Sequence, residues 1–73
     1  MNSTDPLKIV IASDVDYENL IAEIYCDNIF IALLQQDNGI NDLRIEFSSD
    51  INTLNLDWFQ NALNEAKKKL LNQ

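Results

Sequence analysis

Leu20-Ile21-Ala22-Glu23-Ile24-Tyr25-Cys26-Asp27-Asn28-Ile29-Phe30-Ile31-Ala32-Leu33-Leu34-Gln35 is two apolar runs joined by an Asp-Asn pair. In the first run Leu20, Ala22, Ile24 and Cys26 fall on one face of an extended chain, with Ile21, Glu23 and Tyr25 on the other. This follows because successive strand side chains point to opposite sides. Asp27 and Asn28 are residue types that tolerate the positive φ of a two-residue type I′ turn. Asn-Gly or Asp-Gly is the stronger form of that signal. The return run predicts a strand over 29–35, with Phe30, Ala32 and Leu34 on one face and Ile29, Ile31 and Leu33 on the other. A β-hairpin therefore anchors the fold.

Upstream, Leu7-Lys8-Ile9-Val10-Ile11-Ala12 is rich in β-branched residues and predicts a strand over 7–12. Ser13-Asp14-Val15-Asp16-Tyr17-Glu18 follows as an acidic turn. Residues 1–6 read as a flexible polar leader ending at Pro6, without the basic and apolar regions of a signal peptide. Downstream, Asp37-Asn38-Gly39-Ile40-Asn41 carries the only glycine and predicts a reversal. Leu43-Arg44-Ile45-Glu46-Phe47 alternates without a break, which predicts a strand over 43–47. Ser48 to Asn55 reads as a polar loop, with a short strand over 53–56.

The ending is helical, over 58–71. Phe59, Ala62, Leu63, Ala66 and Leu70 lie on one stripe. Asp57 and Gln60 suggest a capping-box variant at its start. Lys67, Lys68 and Lys69 suit the negative end of the helix dipole, and Glu65 is placed to pair with Lys69. The order predicts an α+β fold: a three- to four-stranded antiparallel β-meander with one C-terminal α-helix packed on one face, in a single domain over 7–73. One helix covers one face only. Ile21, Tyr25, Ile29, Ile31 and Leu33 on the other are either a binding surface or covered by loops.

Seventy-three residues bound the chemistry further. A domain of this size holds itself together by a few kcal/mol. A carved active-site cleft would take too many side chains from its core. The single cysteine forms no internal disulfide, which suits a reducing cytosol. No apolar run reaches the roughly 18 residues of a membrane span.

Twelve acids against five bases give −7 and an isoelectric point near 4.1. All twelve acids precede Lys67 and are offset there by Lys8 and Arg44 alone, a net of −10, to which Lys67–Lys69 return +3. Such a field repels nucleic acid and anionic lipid and attracts basic protein surfaces, many of which serve nucleic acid. Solubility alone is the simpler account of the charge.

Catalytic and metal motifs fail in turn. Asp14-Val15-Asp16-Tyr17-Glu18 resembles the start of a calcium loop, but the sixth position is Asn19 and the twelfth Tyr25, where Gly and Glu are needed. A strand-terminal Asp-x-Asp for phosphoryl chemistry needs a doubly wound sheet, which a chain this short with one helix cannot build. With no histidine in the sequence, Cys26 lacks the base of a Cys-His nucleophile and reads as a small buried hydrophobe. No catalytic residue, cofactor or metal is expected.

Asp16-Tyr17-Glu18-Asn19-Leu20-Ile21-Ala22-Glu23-Ile24-Tyr25 leads into Phe30-Ile31-Ala32-Leu33-Leu34-Gln35-Gln36, then Leu43-Arg44-Ile45-Glu46-Phe47 and Leu56-Asp57-Trp58-Phe59, with Ala62-Leu63 and Ala66-Lys67. This resembles small bacterial immunity proteins encoded beside polymorphic toxins, notably those of contact-dependent growth inhibition, over about residues 16–71. The loop Ser48 to Asn55 is short and lacks Gly and Pro. The resemblance implies a cytoplasmic antitoxin protecting its own cell from a delivered toxin domain, frequently a tRNA-cleaving nuclease.

The expectation is thus a non-enzymatic protein that binds a cognate basic nuclease toxin domain 1:1 and occludes its active site or substrate groove. It would contact neither nucleic acid nor membrane. Asp14, Asp16, Glu18 and Glu23 are the first candidates for replacing phosphate contacts, and Asp37, Asp42 and Glu46 the second. Ile21, Tyr25 and Trp58 are the candidate apolar anchors, with packing at the sheet edge the competing role for Trp58. Two alternatives stay open: a phage-type acidic DNA mimic that inhibits a defence nuclease, and a homodimeric adaptor, with a weak homodimer compatible with the main reading.

Overall fold

The computed structural model describes residues 6–72. Four strands, β1 (Leu7–Ala12), β2 (Ile21–Cys26), β3 (Ile29–Gln35) and β4 (Arg44–Phe47), precede one helix, α1 (Leu56–Leu71). The strands form one antiparallel sheet in the order β1-β2-β3-β4, so the fold is an α+β meander with the helix packed against it. Among the described residues no helix is long and apolar enough to cross a membrane.

The β2–β3 turn has Asp27 at φ 51° and Asn28 at φ 69°. Both are in the left-handed region that a type I′ turn requires. Gly39, at φ +100°, serves the β3–β4 reversal, where its carbonyl accepts from Asp42 N–H at 3.1 Å. Of the expected leader, residues 1–5 lie outside the described residues. Pro6 is not loose: its carbonyl accepts from Asp27 N–H at 3.0 Å, which ties the start of β1 to the hairpin turn.

Strict alternation fails in β3, and the reason is a β-bulge. Ile24 faces Ala32, yet Tyr25 faces Phe30, so Ile31 is an extra residue on its strand. Beyond the bulge the side chains exchange faces. Ile31 joins the helix-side core, whereas Phe30 moves to the open face and meets the Tyr25 ring edge-on, with centroids 5.8 Å apart. The expected grouping of Phe30 with Ala32 and Leu34, and of Ile29 and Ile31 with Leu33, is corrected accordingly.

The core unites Ala22, Ile24, Ile31, Ala32 and Leu34 of the sheet with Ala62, Ala66 and Leu70 of the helix. Leu7, Ile9, Ile11, Cys26, Trp58, Phe59 and Leu63 pack around it, half-buried. The helix starts at Leu56, two residues earlier than its periodicity suggests, and its cap is Asn55 rather than Asp57. Asn55 Oδ1 accepts from Trp58 N–H at 2.8 Å, and Asp57 instead sits in the first turn, where a carboxylate suits the dipole. This earlier start removes the short strand expected over 53–56, and Glu65 pairs with Lys68 at 3.5 Å.

The helix lies over β1 and β2 rather than over the middle of the sheet. A helix about 10 Å across spans roughly two strands set ~4.8 Å apart, not four. The helix-side face of β4 is therefore only partly covered: the Phe47 ring meets Phe59 of the helix, with centroids 5.6 Å apart, while Ile45 is 39% and Phe47 57% exposed.

Candidate functional site

Antiparallel order places the β1–β2 loop and the β3–β4 loop at the same end of the sheet. That end collects Asp14, Asp16 and Glu18 from one loop, and Asp37 and Asp42 from the other, with Arg44 at the start of β4. The loops are held by their own hydrogen bonds. Asp14 Oδ1 accepts from Asp16 N–H at 2.9 Å, and the Asp14 carbonyl accepts from Tyr17 N–H at 3.1 Å. Asp37 Oδ1 accepts from Glu18 N–H at 3.2 Å, and Gln36 Nε2 donates to the Leu20 carbonyl at 2.9 Å. These last two contacts clamp one loop to the other.

Tyr17 then ties the loop to the far strand. Its hydroxyl donates to Glu46 Oε1 at 2.7 Å, across β2 and β3, while Gln35 Nε2 reaches Glu46 Oε2 at 3.4 Å. The β1–β2 loop thereby folds back over the open face. Ile21, at the start of β2, is fully buried, although it lies outside the helix-side core. This corrects the expectation for Ile21: a side chain with no exposed area cannot anchor a partner. The apolar surface expected on this face is reduced: Ile21 is buried, and the bulge places Ile29 and Ile31 on the helix side.

The remaining candidates divide between the two sides of the sheet. Register puts Glu23 and Glu46 in one row on the open face, both opposite Leu33. Tyr25 is half-buried there, and its hydroxyl donates to Glu23 Oε1 at 3.2 Å. Trp58 belongs to the helix on the other side and packs half-buried against the core, so it does not join the acidic constellation. Val15 is the residue that sequence reasoning missed. It is fully exposed at the turn between Asp14 and Asp16, and an isolated aliphatic residue amid acids was the only signal.

Hydrogen bonds, burial and neighbouring charge shift the pKa of several groups. The Glu46 carboxylate, accepting from the Tyr17 hydroxyl, holds that phenol protonated and pushes its pKa up to about 12, with burial and nearby acids adding to the effect. Burial raises Tyr25, reinforced by the Glu23 charge beside it. Asp42 accepts two bonds from Arg44, to Nε at 3.0 Å and Nη2 at 3.1 Å, and this lowers its pKa below the usual carboxylate value. Among the described residues, no three carboxylate or cysteine side chains are grouped so as to hold a metal ion.

No family model, no curated protein and no solved structure matches the chain.

Proposed function

We propose that this chain is a non-catalytic immunity-type protein that binds a basic nuclease toxin domain 1:1 through its acidic end. The observation that supports this reading is the preorganised loop pair. Asp14, Asp16, Glu18 and Asp37 sit on two loops clamped to one another and to β4, so docking them costs little ordering entropy. Val15 at the tip offers an exposed aliphatic contact amid those charges. The acids steer association with a cationic groove, and the apolar contact slows dissociation.

The test is co-purification with the product of the neighbouring gene, followed by binding kinetics. Reversal of Asp14, Asp16, Glu18 and Glu23 to Lys is expected to lower the association rate about 10- to 1,000-fold at low salt. Neutralisation by the fourfold variant equal to that of the unaltered protein would overturn the interface. Capture of a phage-defence nuclease in place of a toxin would move the reading to DNA mimicry.

A further inference from the structure

We infer that β4 is a self-complementary edge through which two copies of this chain join into one eight-stranded sheet. Three observations converge on it. First, among the described residues the edge has no partner strand, and its helix-side row is partly exposed: Ile45 is 39% exposed, Phe47, whose ring meets Phe59 of α1, 57%, and the neighbouring Ile40 61%. β1, the other edge, has apolar side chains already half-buried against the helix-side core.

Second, α1 and β4 meet through the Phe47 and Phe59 rings, with centroids 5.6 Å apart, and leave a groove on each side of that contact. A groove of about 320 Å³ lies beside Ile40, Leu43, Ile45 and Leu63, and one of about 450 Å³ beside Phe47, Ile51, Leu54 and Phe59. A strand added at β4 extends an apolar row over both.

Third, the charges favour one register over its immediate neighbours. Ser48 N–H donates to the Ile31 carbonyl at 2.9 Å, so alternation directs the backbone groups of Ile45 and Phe47 to the free edge. A two-fold axis at Ile45 sets Ile45 against Ile45 and Leu43 against Phe47 on the helix side. On the open side it sets Arg44 against Glu46 of the second copy, twice. Shifting the axis by one position either way faces Glu46 with Glu46 or Arg44 with Arg44, like charges that oppose pairing. Asp42 engages Nε and Nη2 of Arg44, so Nη1 serves the second copy.

One tenth of the 5018 Å² surface from each copy gives an interface of about 1,000 Å², the lower limit of specific ones. The dimer is accordingly weak and concentration-dependent, and the two-fold closes it rather than propagating a fibre. This inference stands apart from the proposed function.

Sedimentation equilibrium on the full chain tests it. The unaltered protein is expected to dimerise with a Kd below about 1 mM. Arg44→Glu and Glu46→Arg alone should each weaken self-association at least tenfold. Mixed in equal amounts they should form a heterodimer, because every Glu at 44 and 46 of one chain then meets an Arg of the other. Ile45→Lys, at an edge position already exposed, should also be monomeric, and it keeps the test decisive if a charge variant does not fold. A monomer at ~1 mM, a dimer unaffected by Ile45→Lys, or folded charge variants whose mixture stays monomeric would each overturn the inference.

Discussion

Tyr17 carries more of this molecule than its place in a loop suggests. Its hydroxyl links the β1–β2 loop to β4 across the open face. Tyr17→Phe keeps the ring and removes one hydrogen bond to a carboxylate, so it is expected to cost about 1 kcal/mol at pH 7 in urea unfolding. The alkaline limb has a definite sign. The phenol has a pKa near 10 when unfolded and about 12 when folded, so the folded state favours the protonated form. That contribution is complete below pH 10 and fades as the pH rises from 10 towards 12. Tyr25 is shifted the same way, so the informative quantity is the difference between the unaltered protein and Tyr17→Phe. It should shrink over that interval, and a constant difference would mean that Tyr17 does not act through its proton.

At the scale of the elements, period and turn chemistry exposed most of the fold. Asp27-Asn28, the alternation of 43–47 and the 3.6-residue stripe from Phe59 to Leu70 all describe local geometry, and local geometry decided them. The bulge is different in kind. Every residue of Ile29-Phe30-Ile31-Ala32 is compatible with either face, so nothing in that stretch marks an extra residue; pairing with β2 imposes it. The cap was missed because Asn55 and Asp57 are both good capping residues, and backbone geometry alone chose Asn55. The acidic end was legible as two charged turns, whereas the Tyr17–Glu46 bridge spans 29 positions and follows from no short-range rule. The bulge separates Ile31, in the helix-side core, from Leu33 on the open face, two positions that strict alternation would place together. Ile31→Ala should cost about 2–4 kcal/mol, as for a buried core side chain, and Ile29→Ala under about 0.5, since Ile29 is 62% exposed. A cost for Ile31→Ala as small as that for Ile29→Ala in chemical denaturation would mean that Ile31 is not part of the helix-side core.

Across the whole molecule, the excess of acids sets two responses of opposite sign to one variable. Net charge −7 is spread over a structure with a radius of gyration of 12.2 Å, so like charges lie within one screening length of each other at low salt. The pairs Arg44–Asp42 and Lys68–Glu65 are exposed, so screening them removes little stability. Raising sodium chloride from about 10 mM to 150 mM shortens the Debye length from roughly 30 Å to 8 Å. Self-repulsion falls, and Tm should rise. The same screening weakens the long-range attraction of the acidic end for a cationic partner, so the association rate should fall over that range while dissociation changes little. Solubilising charge and steering charge are thereby distinguished. A net charge that only keeps the protein dissolved predicts the rise in Tm alone, because no partner reads the field. Charge placed for binding predicts both effects, and the fall in association rate should be largely lost when Asp14, Asp16, Glu18 and Glu23 are reversed, although Tm still responds to salt.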